Sequence, residues 1–189
     1  MRQLFLIILL SVGMTAFAQE SVRRPVDATE KQAVLKQMDK RVESFTCHFT
    51  EEKRIAILDE TVVSKGIITY ETSGRLTCEY TEPEALVLSK EANGNLTVTK
   101  KGKPVPPSIM HRQMMDMMEM FVSGKAVGKA DEYKVEVWAD GNAYIIVLTP
   151  KAKGRFSEIE LHLGKDSKRM EKTVLKEAKG DITTVTMTE

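Results

Sequence analysis

The sequence predicts an α+β fold, mainly antiparallel β, in which two helices accompany a curled sheet of about ten strands. Three observations carry this. From Phe45 onward, apolar and polar residues alternate in short runs. The runs are separated by turn chemistry at Ser73-Gly74, Glu82-Pro83, Asn93-Gly94 and Asp140-Gly141. Only two segments, 27–42 and 108–123, switch to a helical period.

The 189 residues suit one domain, and 42% apolar with 29% charged residues is the composition of an ordinary globular chain. Lys and Arg number 28 and Asp and Glu 27, a net charge of +1. No single-signed field exists to hold a nucleic-acid backbone, so that class of partner is excluded. With 2 Cys and 3 His, neither a disulfide framework nor a four-ligand zinc site is expected.

The first eighteen residues read as a secretory signal peptide. Arg2 supplies the positive start, Leu4 to Val12 the apolar run, and Ala16-Phe17-Ala18 the small residues before cleavage. The run is short for a stable span, though an uncleaved anchor is the alternative. No Cys follows the cleavage site, so no lipid anchor is expected. The destination is an exported, oxidising compartment, best matched by a periplasm. Residues 19–27 read as a flexible leader, and 28–189 as a single domain without repeat or linker.

Within that domain, Asp27 to Val42 reads as a helix. Thr29 and Gln32 have capping-box spacing, and Val34, Leu35, Met38 and Val42 form one apolar face. Phe45, Cys47 and Phe49 then share one face of the first long strand. Further strands are expected at 62–71, 75–81, 85–90 and 95–101, with Asn93-Gly94 as a type I′ hairpin signal. Pro104, Pro106 and Pro107 close that block. A second helix runs from Ser108 to Ser123 and stops at Gly124. Strands resume at 133–139, 143–149, 155–163, 169–178 and 182–188. In the third of these, Ile159, Leu161 and Leu163 make a dry face and Glu158, Glu160 and His162 a wet one.

The second helix is the informative element. It holds six Met between Met110 and Met120. Met110, Met114, Met117, Met118 and Phe121 form one stripe, which Ile109, Met115 and Val122 widen beyond a normal core-facing arc of roughly 100°. Two readings stand: a core helix rich in Met, or a helix that covers a cavity for apolar ligands. Met is unbranched and polarizable, and so repacks around varied apolar partners. A strongly twisted antiparallel sheet of this size curls, and helices over its mouth would enclose a volume.

At these residues the chain resembles the LolA-type periplasmic carriers of outer-membrane lipoproteins. The ordered features are the aromatic strand Phe45–Lys53, the run from Ser64-Lys65-Gly66 to Tyr70, the strand Arg75–Pro83, and Tyr144 to Leu148 followed by Thr149-Pro150-Lys151. The resemblance covers about residues 28–188 and implies an incomplete, half-open β-barrel with helices as a lid over a hydrophobic cavity. It implies acyl-chain binding by Phe45, Cys47, Phe49, Leu76, Cys78 and Tyr80 from the strands. From the lid it implies Met110, Met114, Met117, Met118 and Phe121. The implied partners are acylated lipoproteins, an inner-membrane lipoprotein-releasing ABC transporter and an outer-membrane acceptor. The carrier is expected to be a monomer, not an enzyme, and to need no cofactor. Three departures mark a divergent branch. Cys78 stands where the family usually has Trp. Thr72 stands where some members have an Arg that holds the lid shut. The Asn93-Gly94 hairpin lacks an aromatic run.

Other candidates read more simply. Cys47 and Cys78 face the same way with one strand between them, about 9–10 Å apart, which is too far for a disulfide; two free thiols are expected. His48, His111 and His162 have no metal-ligand spacing. No Gly-rich phosphate loop, Ser-centred elbow or His-Glu-x-x-His run occurs, and Glu51-Glu52 and Glu158/Glu160 read as solvated faces. Lys100 to Lys103 and Lys151 to Arg155 read as solvated loop tips, or as contacts to a membrane surface or acidic partner. Three functions follow: a lipoprotein carrier, a lipid-binding or sensing module of the same fold, and, less favoured, an exported enzyme with an unrecognised site.

Overall fold

Period-two patterning from Phe45 onward becomes a single antiparallel sheet in the computed structural model, which describes residues 23–38, 43–122 and 131–188. The side chains of Met120 and Phe121 are also outside the description. The expected signal peptide, residues 19–22, the helix end at Val42 and the Gly124 stop all lie outside the described residues.

The strands are β1 (Arg24–Pro25), β2 (Phe45–Ile55), β3 (Glu60–Tyr70), β4 (Leu76–Glu82), β5 (Leu86–Lys90), β6 (Leu96–Lys100) and β7 (Lys103–Val105). After the second helix come β8 (Tyr133–Asp140), β9 (Ala143–Pro150), β10 (Phe156–Gly164), β11 (Met170–Glu177) and β12 (Ile182–Thr188). The sheet order is β1-β8-β9-β10-β11-β12-β2-β3-β4-β5-β6-β7. The last strand therefore returns to pair with β2 and joins two meanders into one curled, unclosed sheet. This is the incomplete barrel that the sequence predicts.

The two strands that patterning missed are the margins. They are two and three residues long, too short for a period to show, and each contains a proline, Pro25 and Pro104. β1 lies in the stretch expected to be a flexible leader, yet it pairs with Trp138 and Ala139 of β8.

Helix α1 (Ala28–Met38) begins two residues earlier than the Thr29 cap would place it. The Glu30 amide donates to Asp27 Oδ1 at 2.8 Å, so Asp27 is the cap; Thr29 lies inside the helix. The hairpin at Asn93-Gly94 also differs from the type I′ expectation. Only Gly94 has positive φ (85°), and its amide donates to the Glu91 carbonyl at 2.8 Å, which makes a wider turn.

Two apolar clusters fill the concave side. One joins β2–β6 and β12 to Met115, Met118 and Val122 of α2 (Ile109–Val122). The other joins β8–β11 to Val34 and Met38 of α1. Met117 packs against this second cluster, so α2 bridges the two halves of the half-barrel.

On the convex side of β10 the expected wet face is covered. Glu160 is only 5% exposed. Its carboxylate accepts from Arg23 Nη2 at 3.2 Å and Lys176 Nζ at 2.8 Å, and His162 Nε2 lies 3.4 Å away. His162, Lys176 and Arg23 together hold the Glu160 carboxyl well below the usual carboxylate range against the opposing effect of burial.

Candidate functional site

The inner face is built by register. Cys47 lies opposite Ile68, Ile68 opposite Cys78, Cys78 opposite Leu88, and Leu88 opposite Val98. One row away, Phe49 lies opposite Gly66, which lies opposite Tyr80. The third row runs Phe45, Tyr70, Leu76, Lys90 and Leu96, with the Phe45 and Tyr70 rings stacked at 6.1 Å. Strand parity thus brings six of the expected site residues, Phe45, Cys47, Phe49, Leu76, Cys78 and Tyr80, onto one concave surface. Both cysteines are free, as expected for residues separated by a strand. Burial pushes the Cys78 thiol up to about 12, and raises that of Cys47 as well.

Helix α2 lies over this surface. Met115 and Met118 are fully buried in the first cluster and Met114 packs at its edge, while Met117 reaches the second. Met110 stands apart and is 71% exposed, as is neighbouring Ile109 at 77%. Both precede the first turn to touch the sheet. The Phe121 side chain lies outside the described residues.

Polar contacts fix the helix at three places. At its N-terminal half Gln113 Oε1 accepts from Arg155 Nη1 at 3.3 Å. The Tyr80 hydroxyl lies 3.1 Å from Glu51 Oε2 and 3.2 Å from Met114 Sδ, and so ties β2 and β4 to the helix. Further along, Lys90 Nζ donates to Asp116 Oδ1 at 2.5 Å and Glu119 Oε2 at 2.8 Å. Burial disfavours the Lys90 charge, but these two carboxylates outweigh it and raise its pKa.

Glu51 corrects the expectation of a solvated face. It shares parity with Phe45, Cys47 and Phe49, and points inward. Burial raises its pKa, an effect that the Tyr80 hydrogen bond opposes. Lys90 was missed in the same way, though its parity with Leu86 and Leu88 places it inside.

Where the strand ends meet, near the ends of both helices, a groove of about 990 Å³ opens. Met38, Phe45, Cys47, Val122, Leu163 and Met187 supply its apolar lining. The hairpin between β10 and β11 adds Ser167, Lys168 and Arg169, and Glu43, Glu171 and Lys172 also border it. Two of the expected site residues, Phe45 and Cys47, thus line open space; Phe49, Leu76, Cys78 and Tyr80 lie packed under α2. Among the described residues, no cluster of three His, Cys, Asp or Glu could hold a metal, and no helix is long and apolar enough to cross a membrane.

The family profile described as "Outer membrane lipoprotein carrier protein LolA" matches residues 40–189, most of the chain. This chain belongs to the LolA family. No curated relative matches its sequence. Among solved structures, LolA-fold likeness extends to MucB at 18% identity and a TM-score of 0.50, covering 86% of this chain and 58% of MucB. The chain thus spans little more than half the length of that neighbour. A LolA superfamily protein from Nitrosomonas europaea is similar at 12% identity and a TM-score of 0.40, covering 84% of this chain and 91% of its own. LprF from Mycobacterium bovis is similar at 12% identity and 0.45, covering 87% and 93%. At these identities the likeness is one of fold.

Proposed function

We propose that this LolA-family protein is an exported, periplasmic carrier that takes lipoprotein acyl chains into its half-barrel and shuttles them from the inner to the outer membrane. The observation that carries the reading is a Met helix laid over the apolar inner face of an unclosed sheet, in a chain whose family is that of lipoprotein carriers. Met115 and Met118 fill the space that acyl chains would take. Their flexible thioether side chains can be displaced without a large loss of packing specificity. Each methylene that replaces them in the dry interior contributes on the order of 0.8 kcal/mol. In this reading an ABC transporter supplies cargo and an outer-membrane acceptor removes it, with no bond made or broken by the carrier.

The test uses purified mature protein and inner-membrane vesicles loaded with labelled lipoprotein. Release of triacylated cargo as a one-to-one soluble complex, and no release of de-acylated cargo, is the expected result. A protein that retains free lipid but releases no lipoprotein would be a lipid-binding module of the same fold. That second reading is favoured by the groove at the strand ends, whose volume suits a single small amphiphile.

A further inference from the structure

The groove at the strand ends is asymmetric in charge, and the hairpin that overhangs it is built to hold one position. The Gly164 amide donates to the Arg169 carbonyl at 3.0 Å, and the Lys168 amide to the Gly164 carbonyl at 3.0 Å. Lys168 sits in the left-handed region (φ 57°), and its ammonium donates to the Lys165 carbonyl. The Lys165 amide and ammonium in turn donate to the Asn142 and Gly141 carbonyls of the next hairpin, at 2.8 and 2.7 Å. A Cβ at Gly164 would come within 2.1 Å of Ser167 Oγ, so the loop folds tightly on itself. Glu171, one of two acids at the groove, accepts from Ser167 Oγ at 2.7 Å and is engaged within that hairpin.

The cations are thereby placed over an apolar lining. The Arg169 charge is felt at the Cys47 thiol, where it opposes the effect of burial. Lys168 and Lys172 border the same space. An apolar lining beside the Lys168 and Arg169 side chains matches a tail with an anionic head. Arg and Lys on separate positions suit a head group with several acceptor oxygens, which a phosphate has and a carboxylate has fewer of. At about 990 Å³ the space is at the upper end for a single small molecule.

We infer that the groove between β2, β12 and the β10–β11 hairpin binds a single-chain phospholipid, its acyl chain on Phe45, Cys47 and Met187 and its anionic phosphate at Lys168 and Arg169. This rests on the reading of the half-barrel as an acyl-chain site, and adds selection by head group.

The experiment is calorimetric titration of the full mature protein with palmitoyl lysophosphatidylglycerol, with neutral monopalmitoylglycerol, and with palmitate, each below its micelle threshold. The wild type should bind the lysophospholipid at least about tenfold more tightly than the neutral glyceride. K168Q/R169Q should reduce that preference to within about twofold and leave the neutral glyceride's affinity unchanged, which shows that the fold and floor are intact. K168R/R169K should restore it. Equal affinity for charged and neutral chains in the wild type, or an unchanged preference in K168Q/R169Q, overturns the head-group site while leaving the acyl site standing. Palmitate bound as tightly as the lysophospholipid overturns the phosphate assignment. Failure of all three to bind overturns the groove as a lipid site, and the lipoprotein-release assay then decides the carrier reading separately.

Discussion

The ring of Phe49 lies across the backbone of Gly66. The two are register partners on β2 and β3, and a Cβ built at Gly66 would come within 2.7 Å of Phe49 Cε1 and 2.1 Å of the Glu79 carbonyl oxygen. The ring in turn meets Tyr80 edge-on at 5.0 Å. Gly66 is therefore required by close approach. Gly66→Ala should destabilise the fold by about 1–3 kcal/mol, read as a lowered urea midpoint with an unchanged slope. A wild-type midpoint in this variant would show that the ring has other room.

Lys90 ties the sheet to α2. It reaches from the sheet to two carboxylates on α2. Lys90→Met should lower global stability by no more than about 1 kcal/mol, since Asp116 is largely exposed. The amides of α2 should nevertheless exchange with deuterium markedly faster than in the wild type, with the sheet unchanged. Unaltered protection of α2 would mean that Met burial alone seats the helix.

Two carboxylates should give opposite pH responses. Glu160 has a lowered pKa, so its contribution is full above the unfolded value of about 4.3 and is lost as pH falls toward its folded pKa. Glu160→Gln should therefore destabilise at neutral pH and matter little in strong acid. Glu51 has a raised pKa, so the contribution linked to its protonation is present below the unfolded value and is lost as pH rises through the folded one. Glu51→Gln should raise the urea midpoint at neutral pH. Midpoints measured across the acid range decide both signs.

Met117→Asp places a charge where α2 meets the second cluster, at a half-buried position that can tolerate it better than fully buried Met118. The variant should fold, by its circular dichroism and cooperative melt, and lose most acyl-dependent cargo release. Normal release by a folded variant would remove α2 from the binding surface.

The frame was legible because period and turn chemistry are local. β12 at Ile182–Thr188 and α2 at Ile109–Val122 follow from alternation, helical spacing and flanking Pro and Gly. The inward row of Phe45, Cys47 and Phe49 follows from parity alone. The same parity places Glu51 and Lys90 inside. For Glu51 this overturns the solvated face that residue type alone suggests. Their partners, Tyr80, Asp116 and Glu119, come from other elements and leave no local signal. Glu160, on a face whose alternation suggests solvent, is buried for a related reason. The side chain covering it is Arg23, 137 residues earlier in the chain. Neither the Asp27 cap nor the Arg169 hairpin required distant information; each lay one turn or one loop from residues already singled out.

The two margins of the sheet set how the molecule behaves in company. An unclosed sheet offers a free row of amides and carbonyls at each side, the template from which polymers grow. Here each margin is a stub, Arg24–Pro25 or Lys103–Val105, and in each a proline deletes a donor beside a positive charge. The seam can thus stay open while the outermost strands, short and interrupted by proline, remain poor templates for a second chain.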